Sequence, residues 1–262
     1  MKLIESFNEA ETKKRLYDIM NYLTGRTTIS FHDIYDRLGR EEVGNTSYHH
    51  GDGELIKDFF TFPIMYPQNV NGMGEMINSI HDMYTDSFNK GTYLHFKSTR
   101  KANERMIINL STQQEATMLV RDTLYRSYNV ISHIKFFAAK QASPIKHLKC
   151  DKIVIYYDRA NRNVVFQTVC NAAKSRGYDF KRELSAFYHI VGDDEGKYPV
   201  GIGIELMASS FTENRTAEIL EALTGVKRAE KKNKQYDILA PSYEKSFFDV
   251  LYNNITRHLP VY

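Results

Sequence analysis

The sequence predicts an α+β protein in which a mixed or antiparallel sheet carries helices packed against it, with additional helices at the N-terminus. Three observations predict this class. The stretch 132–137 alternates His133, Lys135 and Phe137 against Ile134 and Phe136, the period of a strand with two different faces. The run 152–157 is rich in Ile, Val and Tyr, residue types that fit a pleated surface. Between 111 and 128 the apolar residues Ala116, Leu119, Val120 and Leu124 recur at helical spacing behind a capping-box pattern, read as Ser111 with Gln114.

Taken in order, residues 3–23 space Leu3, Ile4, Phe7, Leu16, Ile19, Met20 and Leu23 as one helix ending at Gly25. A second helix starts near Ser30, sets Phe31, Ile34, Tyr35 and Leu38 on one face, and stops at Gly39. From 43 to 67 five glycines and prolines break the pattern around the aromatic patch Phe59, Phe60 and Phe62. Residues 1–70 are therefore read as a helical and irregular extension, and 71–262 as one α+β domain with a C-terminal helix. Within that domain the glycine turn Asn71-Gly72-Met73-Gly74 precedes two strands, 92–97 and 105–110, joined by a polar turn. After the 132–157 strand pair come a helix over 164–175 closed by Gly177, an ambiguous stretch at 184–191, and a turn at 192–196. A glycine-bearing strand over 199–206, a helix from Ser210 to Thr224 with Glu213 in a second capping box, and a terminal helix over 243–258 complete the pattern.

Composition narrows the function classes. The 262 residues are 42% hydrophobic with a formal net charge of +3, enough to bury a core and too weakly basic to mark a nucleic-acid footprint. The charged run 227–234 is a solvated connector, so nucleic acid is disfavoured as a partner. Two cysteines, Cys150 and Cys170, form no CxxC or disulfide framework and read as reduced thiols of a cytoplasmic chain. No long apolar run marks a signal or a membrane span. His49, His50 and Asp52 are a weak metal pattern, because adjacent strand histidines point to opposite faces; no metal and no cofactor are expected. Neither GxxxxGK[ST] nor a strand-embedded GxGxxG is present.

The chemistry concentrates in 132–158. His133 and Lys135 share a strand face, and Lys140, Lys146, His147 and Lys149 follow in the connector, so an anion site is expected there. On the earlier strands Arg105, Ile107 and Asn109 share one face, as do His95 and Lys97. The bland alternative is that these are solvated strand residues, and that Arg215 pairs with Glu218 or Glu221 along its own helix.

From about 71 to 223 the ordered pieces Asn71-Gly72-Met73-Gly74, Arg105-Met106-Ile107-Ile108-Asn109, His133-Ile134-Lys135, Lys149-Cys150-Asp151, Gly201-Ile202-Gly203 and Ser210-Phe211 with Arg215 resemble a known family. It is the type III effector domain family of plant pathogens, related to phosphothreonine lyases and to the lyase-like component of class V lanthipeptide synthetases. The resemblance implies a phosphothreonine-lyase-like fold and β-elimination of phosphate from a phosphorylated Ser or Thr in a protein or peptide. It carries the base role onto Lys135 and phosphate binding onto Arg105, Lys149 and Arg215, with Lys97 beside them and Asp151 and Asn109 in support. Where related effector domains have arginine this chain has Lys149, which keeps charge and loses the bidentate fork. Where the lyases have a histidine acid this chain has Ile107, leaving His133 or His95 to supply the proton. A separate kinase would provide the phosphate, and delivery into a host cell is the alternative to a cytoplasmic location. The second reading is a catalytically inactive phosphate-recognition or host-interaction module.

Overall fold

In the computed structural model the described residues are 4–39, 92–98, 100–138, 151–193, 195–204, 211–226, 234–239, 248–249 and 252–253. They divide into two units interleaved along the chain, one holding 1–6, 42–185 and 189–202 and the other 7–41, 186–188 and 203–262. The expected boundary at residue 70 lies outside the described residues.

The first unit is built on a seven-stranded sheet of β1 (Ile4–Phe7), β3 (Thr92–Lys97), β4 (Glu104–Ile108), β5 (Ile131–Ala138), β6 (Ile153–Tyr157), β7 (His189–Gly192) and β8 (Val200–Ile204). The strand order is β1-β7-β8-β4-β6-β5-β3, with antiparallel pairing at β3/β5, β5/β6, β4/β6 and β7/β8. The α+β class read from the sequence, with a mixed or antiparallel sheet, is therefore the observed one, and the pairings named are antiparallel. One sheet face carries Met106, Ile108, Ile134, Phe136, Ile153, Ile155 and Tyr157 into a core shared with the helices α3 (Gln113–Ser127) and α4 (Arg162–Arg176). Ala116, Leu119, Val120 and Leu124 of α3, and Val165, Phe166, Val169 and Ala173 of α4, cover that face. The 3.6-residue stripe seen in the sequence is what lets one side of each helix bury while the other stays wet.

A bulge interrupts β5. Ile131 stands opposite Tyr157 and His133 opposite Tyr156, so Ser132 is one residue more than its partner strand supplies. Its carbonyl accepts from the Ser98 amide at 2.8 Å and the Ser98 hydroxyl at 2.9 Å, and its own hydroxyl donates to the Arg100 carbonyl.

Helix α3 starts one residue later than the sequence reading placed it. Thr112 is the N-cap, its hydroxyl accepting from the Glu115 amide at 3.1 Å while the Glu115 carboxylate accepts from the Thr112 amide at 3.1 Å. The box is thus Thr112/Glu115, not Ser111/Gln114, because a carboxylate at the third position also complements the helix dipole. Thr112→Ala is expected to cost about 1 kcal/mol and Ser111→Ala less than about 0.5 kcal/mol, read by urea denaturation.

The second unit holds α1 (Glu9–Leu23), α2 (Phe31–Gly39), α5 (Phe211–Thr224) and a two-stranded antiparallel sheet of β2 (Thr28–Ser30) with β9 (Gln235–Asp237). The single helix expected over 3–23 is corrected: 4–7 is the strand β1, and the helix begins after Asn8. The apolar residues Leu3, Ile4 and Phe7 fit either period over so short a run. Helix α2 packs on α1 and on α5, burying Leu16, Ile19, Leu23, Ile34, Ile219 and Leu223. Phe187 has φ 66°, strained for an aromatic residue, and its amide donates to the buried Thr12 hydroxyl at 2.9 Å. The ambiguous stretch thus resolves as a bend at 186–188 followed by β7.

Candidate functional site

The register of four neighbouring strands lays two ranks of residues across the sheet face opposite the core. In the first rank Arg105 on β4 faces Tyr156 on β6, Tyr156 faces His133 on β5, and position 97 on β3 lies opposite His133. In the second rank Ile107, Val154 and Lys135 follow in the same order, with position 95 opposite Lys135. Directly opposed residues of antiparallel strands share a face. The expectation that Arg105, His133 and Lys135 lie on one side of the sheet is met, and Lys97 and His95 hold the matching register positions.

Contacts within the first rank are aromatic and cationic. The His133 and Tyr156 rings stack with centroids 4.7 Å apart and planes at 10°. The Arg105 guanidinium carbon lies 5.2 Å from the Tyr156 centroid, and Arg105 is buried. In the second rank Ile107 and Val154 are fully buried, whereas Lys135 and Asp151 are each about one-fifth exposed and lie 3.9 Å apart, Nζ to Oδ2. The second rank is therefore apolar over β4 and β6 and basic over β5, whereas the first carries Arg105 on β4. Arg105 and His133 stand two strands apart, about 10 Å between Cα atoms at normal strand spacing, within reach of side chains converging on one phosphate. Ile107 offers no proton, and the histidine that shares a strand with Lys135 is His133.

Other expected site residues lie elsewhere. Asn109 follows β4 and is fully buried; its amide nitrogen donates to the Glu183 carbonyl at 2.8 Å and its own carbonyl accepts from the Lys181 amide at 2.9 Å, a structural tie to the segment before β7. Arg215 belongs to the second unit, is buried, and donates from Nη1 to Glu218 Oε2 at 2.6 Å, the intrahelical pair named above as the bland alternative. Lys149, the glycine turn at 71–74 and His49, His50 and Asp52 lie outside the described residues. Tyr156 was not among the expected site residues; its only signal for that role is that 152–157 must lie between the other two strands for Arg105 and His133 to meet one ring.

Among the described residues no cluster of His, Cys, Asp and Glu could hold a metal ion, and no helix is long and apolar enough to cross a membrane. Cys170, buried in α4, is no candidate nucleophile: burial first and Asp193 second push its thiol up to about 12, so it stays protonated at neutral pH. At the far end of β4 the fully buried Glu104 accepts from Arg162 Nε at 2.7 Å and from Nη2 in a bidentate pair. Burial, and then the Arg162 charge, hold the neighbouring His189 below its ordinary value of 6.5. A depressed histidine is uncharged in the folded state while the unfolded chain takes up a proton. Its stabilising contribution is complete above pH 6.5 and declines as the pH falls from there toward the lowered native value. Stability measured across this window is expected to fall in the wild type and to fall less in His189→Asn.

No family model and no curated protein matches the chain. Among solved structures it is similar to "the effector protein from Pseudomonas syringae pv. syringae strain 61", with a TM-score of 0.51 and 9% identity over 82% of this chain and 89% of that one. At that identity the likeness is one of fold.

Proposed function

We propose that this chain binds a phosphorylated Ser or Thr of a protein or peptide and eliminates the phosphate to leave a dehydroamino acid. The observation that supports this most is the pair of ranks that brings Arg105, His133 and Lys135 to one sheet face beside register positions 95 and 97. In the reaction Lys135 takes the α-proton, the released electron pair forms the Cα=Cβ bond, and the Cβ–O bond breaks with its pair going to phosphate. Arg105 holds the phosphate by charge-assisted hydrogen bonds, with Lys149 and Lys97 adding charge. His133 donates a proton to the departing oxygen, or the cations carry that charge alone. The fold shared with an effector protein supports delivery into a host cell as the setting.

A second reading has its own observation. Ile107 is fully buried where the resemblance expects the acid, which favours a module that recognises phosphate without turning it over. Mass spectrometry of a phosphoserine and phosphothreonine peptide pool incubated with the protein separates the two. Loss of the elements of phosphoric acid is the expected result. Loss that regenerates the hydroxyl means hydrolysis and overturns the elimination; saturable, salt-sensitive binding with no product means the inactive module.

A further inference from the structure

We propose that Asp151 is a positioning residue that holds Lys135 in its ammonium form, so that the resting sheet face meets phosphate as a cation and gains its base only when that pair releases its proton to solvent. The inference rests on Lys135 being the base of the proposed elimination, and it concerns how that base is regulated.

Lys135 stands opposite Val154 on β6, and Asp151 precedes Val154 by three positions. Strict alternation would group Asp151 with Ile153 and Ile155, which enter the core. The chain bends at the fully buried Lys152, just before β6 begins, and that break in phase lets Asp151 Oδ2 come to 3.9 Å from Lys135 Nζ. Each of the two side chains is only about one-fifth exposed, so water screens their attraction less than at an open surface. An opposite charge at this distance favours the protonated lysine.

The other charged or titratable groups that the register sets around Lys135 are His133 along β5, Arg105 and Tyr156 in the first rank, positions 95 and 97 on β3, and Lys152 beside Asp151. None of these carries a carboxylate, and the cations among them favour the free amine. Asp151 is thus the member of the set that opposes the base. Binding and turnover acquire different pH dependences as a result. With the pair closed, the lysine adds its charge to phosphate capture; only after the ammonium has lost its proton can it take the α-proton.

The test measures the Lys135 titration midpoint in the full chain by NMR of the lysine Cε signals, the one for Lys135 being assigned by its loss in Lys135→Ala. The midpoint is expected to fall by about one pH unit in Asp151→Asn and to stay near the wild-type value in Asp151→Glu, which keeps the carboxylate. Asp151→Ser removes the charge by a second route and is expected to give the same fall. A midpoint that is unchanged or raised in folded Asp151→Asn or Asp151→Ser overturns the proposal. The pH–rate profile for elimination from a phosphothreonine peptide is read on the same proteins, and its rise is expected to move down together with the Lys135 midpoint. A rise that stays in place while the amine midpoint moves overturns the regulation by Asp151. A midpoint that falls in proteins that release no phosphate supports the hold of Asp151 on Lys135 and overturns the elimination instead, so the two failures are distinct.

Discussion

Lys135→Ala is expected to slow elimination from a phosphothreonine peptide by about 10²–10⁴-fold, the range a positioned general base supplies. Phosphopeptide affinity is expected to change far less, because Arg105 and the remaining cations still hold the phosphate. Alanine alone does not separate a lost base from a lost charge. Lys135→Arg does: it keeps the cation and cannot lose its proton in this range, so it should bind as the wild type and remain inactive. An active arginine variant would remove Lys135 from the base role. The reaction also requires the free amine, because only an unprotonated lysine can accept the α-proton. The elimination rate should therefore rise with pH in the wild type, and the small residual rate of Lys135→Ala should lack that rise.

The second large effect concerns stability. Arg162 opens α4, the end of a helix where the dipole disfavours a cation, and Glu104 is fully buried in β4. Each residue is poorly placed alone; the bidentate pair between them explains both. Arg162→Met strands a carboxylate with no access to water and is expected to cost about 3–5 kcal/mol. For a chain of this size that is roughly a 10 °C fall in the melting midpoint. Glu104→Gln should cost less, since the Arg162 side chain keeps 12% exposure and can turn toward solvent. The double variant Glu104→Leu/Arg162→Met is expected to recover most of the loss, because a matched apolar pair has no charge to desolvate. Equal losses from the two single variants, in thermal or urea unfolding, would refute this account.

How much of this was legible before any coordinates follows from which signals are local. Alternation in 132–137 placed His133 and Lys135 on one face and Ile134 and Phe136 on the other, which is the core face, and the helical stripe of α3 was read correctly. Strand order was not legible. Nothing in the chain says that β6 is inserted between β4 and β5, so the ring of Tyr156 between Arg105 and His133 could not be foreseen. Nor could β1, β2 and β9, whose three or four residues carry too short a pattern to distinguish a strand from a helix end. Arg215 illustrates a different limit: a family pattern names a residue type at a position, while the i, i+3 neighbour Glu218 decides what it touches in this chain.

The extra residue at Ser132 has a consequence for evolution by insertion and deletion. Ile131 and Ile134 both belong to the core although they stand three positions apart, which strict alternation forbids. The strand changes phase at Ser132, so its first residue can anchor in the core while positions 133 and 135 are reserved for the opposite face. Side-chain identity at 132 is held by one hydroxyl contact, to the Arg100 carbonyl, but chain length there is a hard constraint. Removing one residue would leave composition almost untouched and exchange the roles of the two faces, driving a histidine and a lysine inward or Ile131 outward.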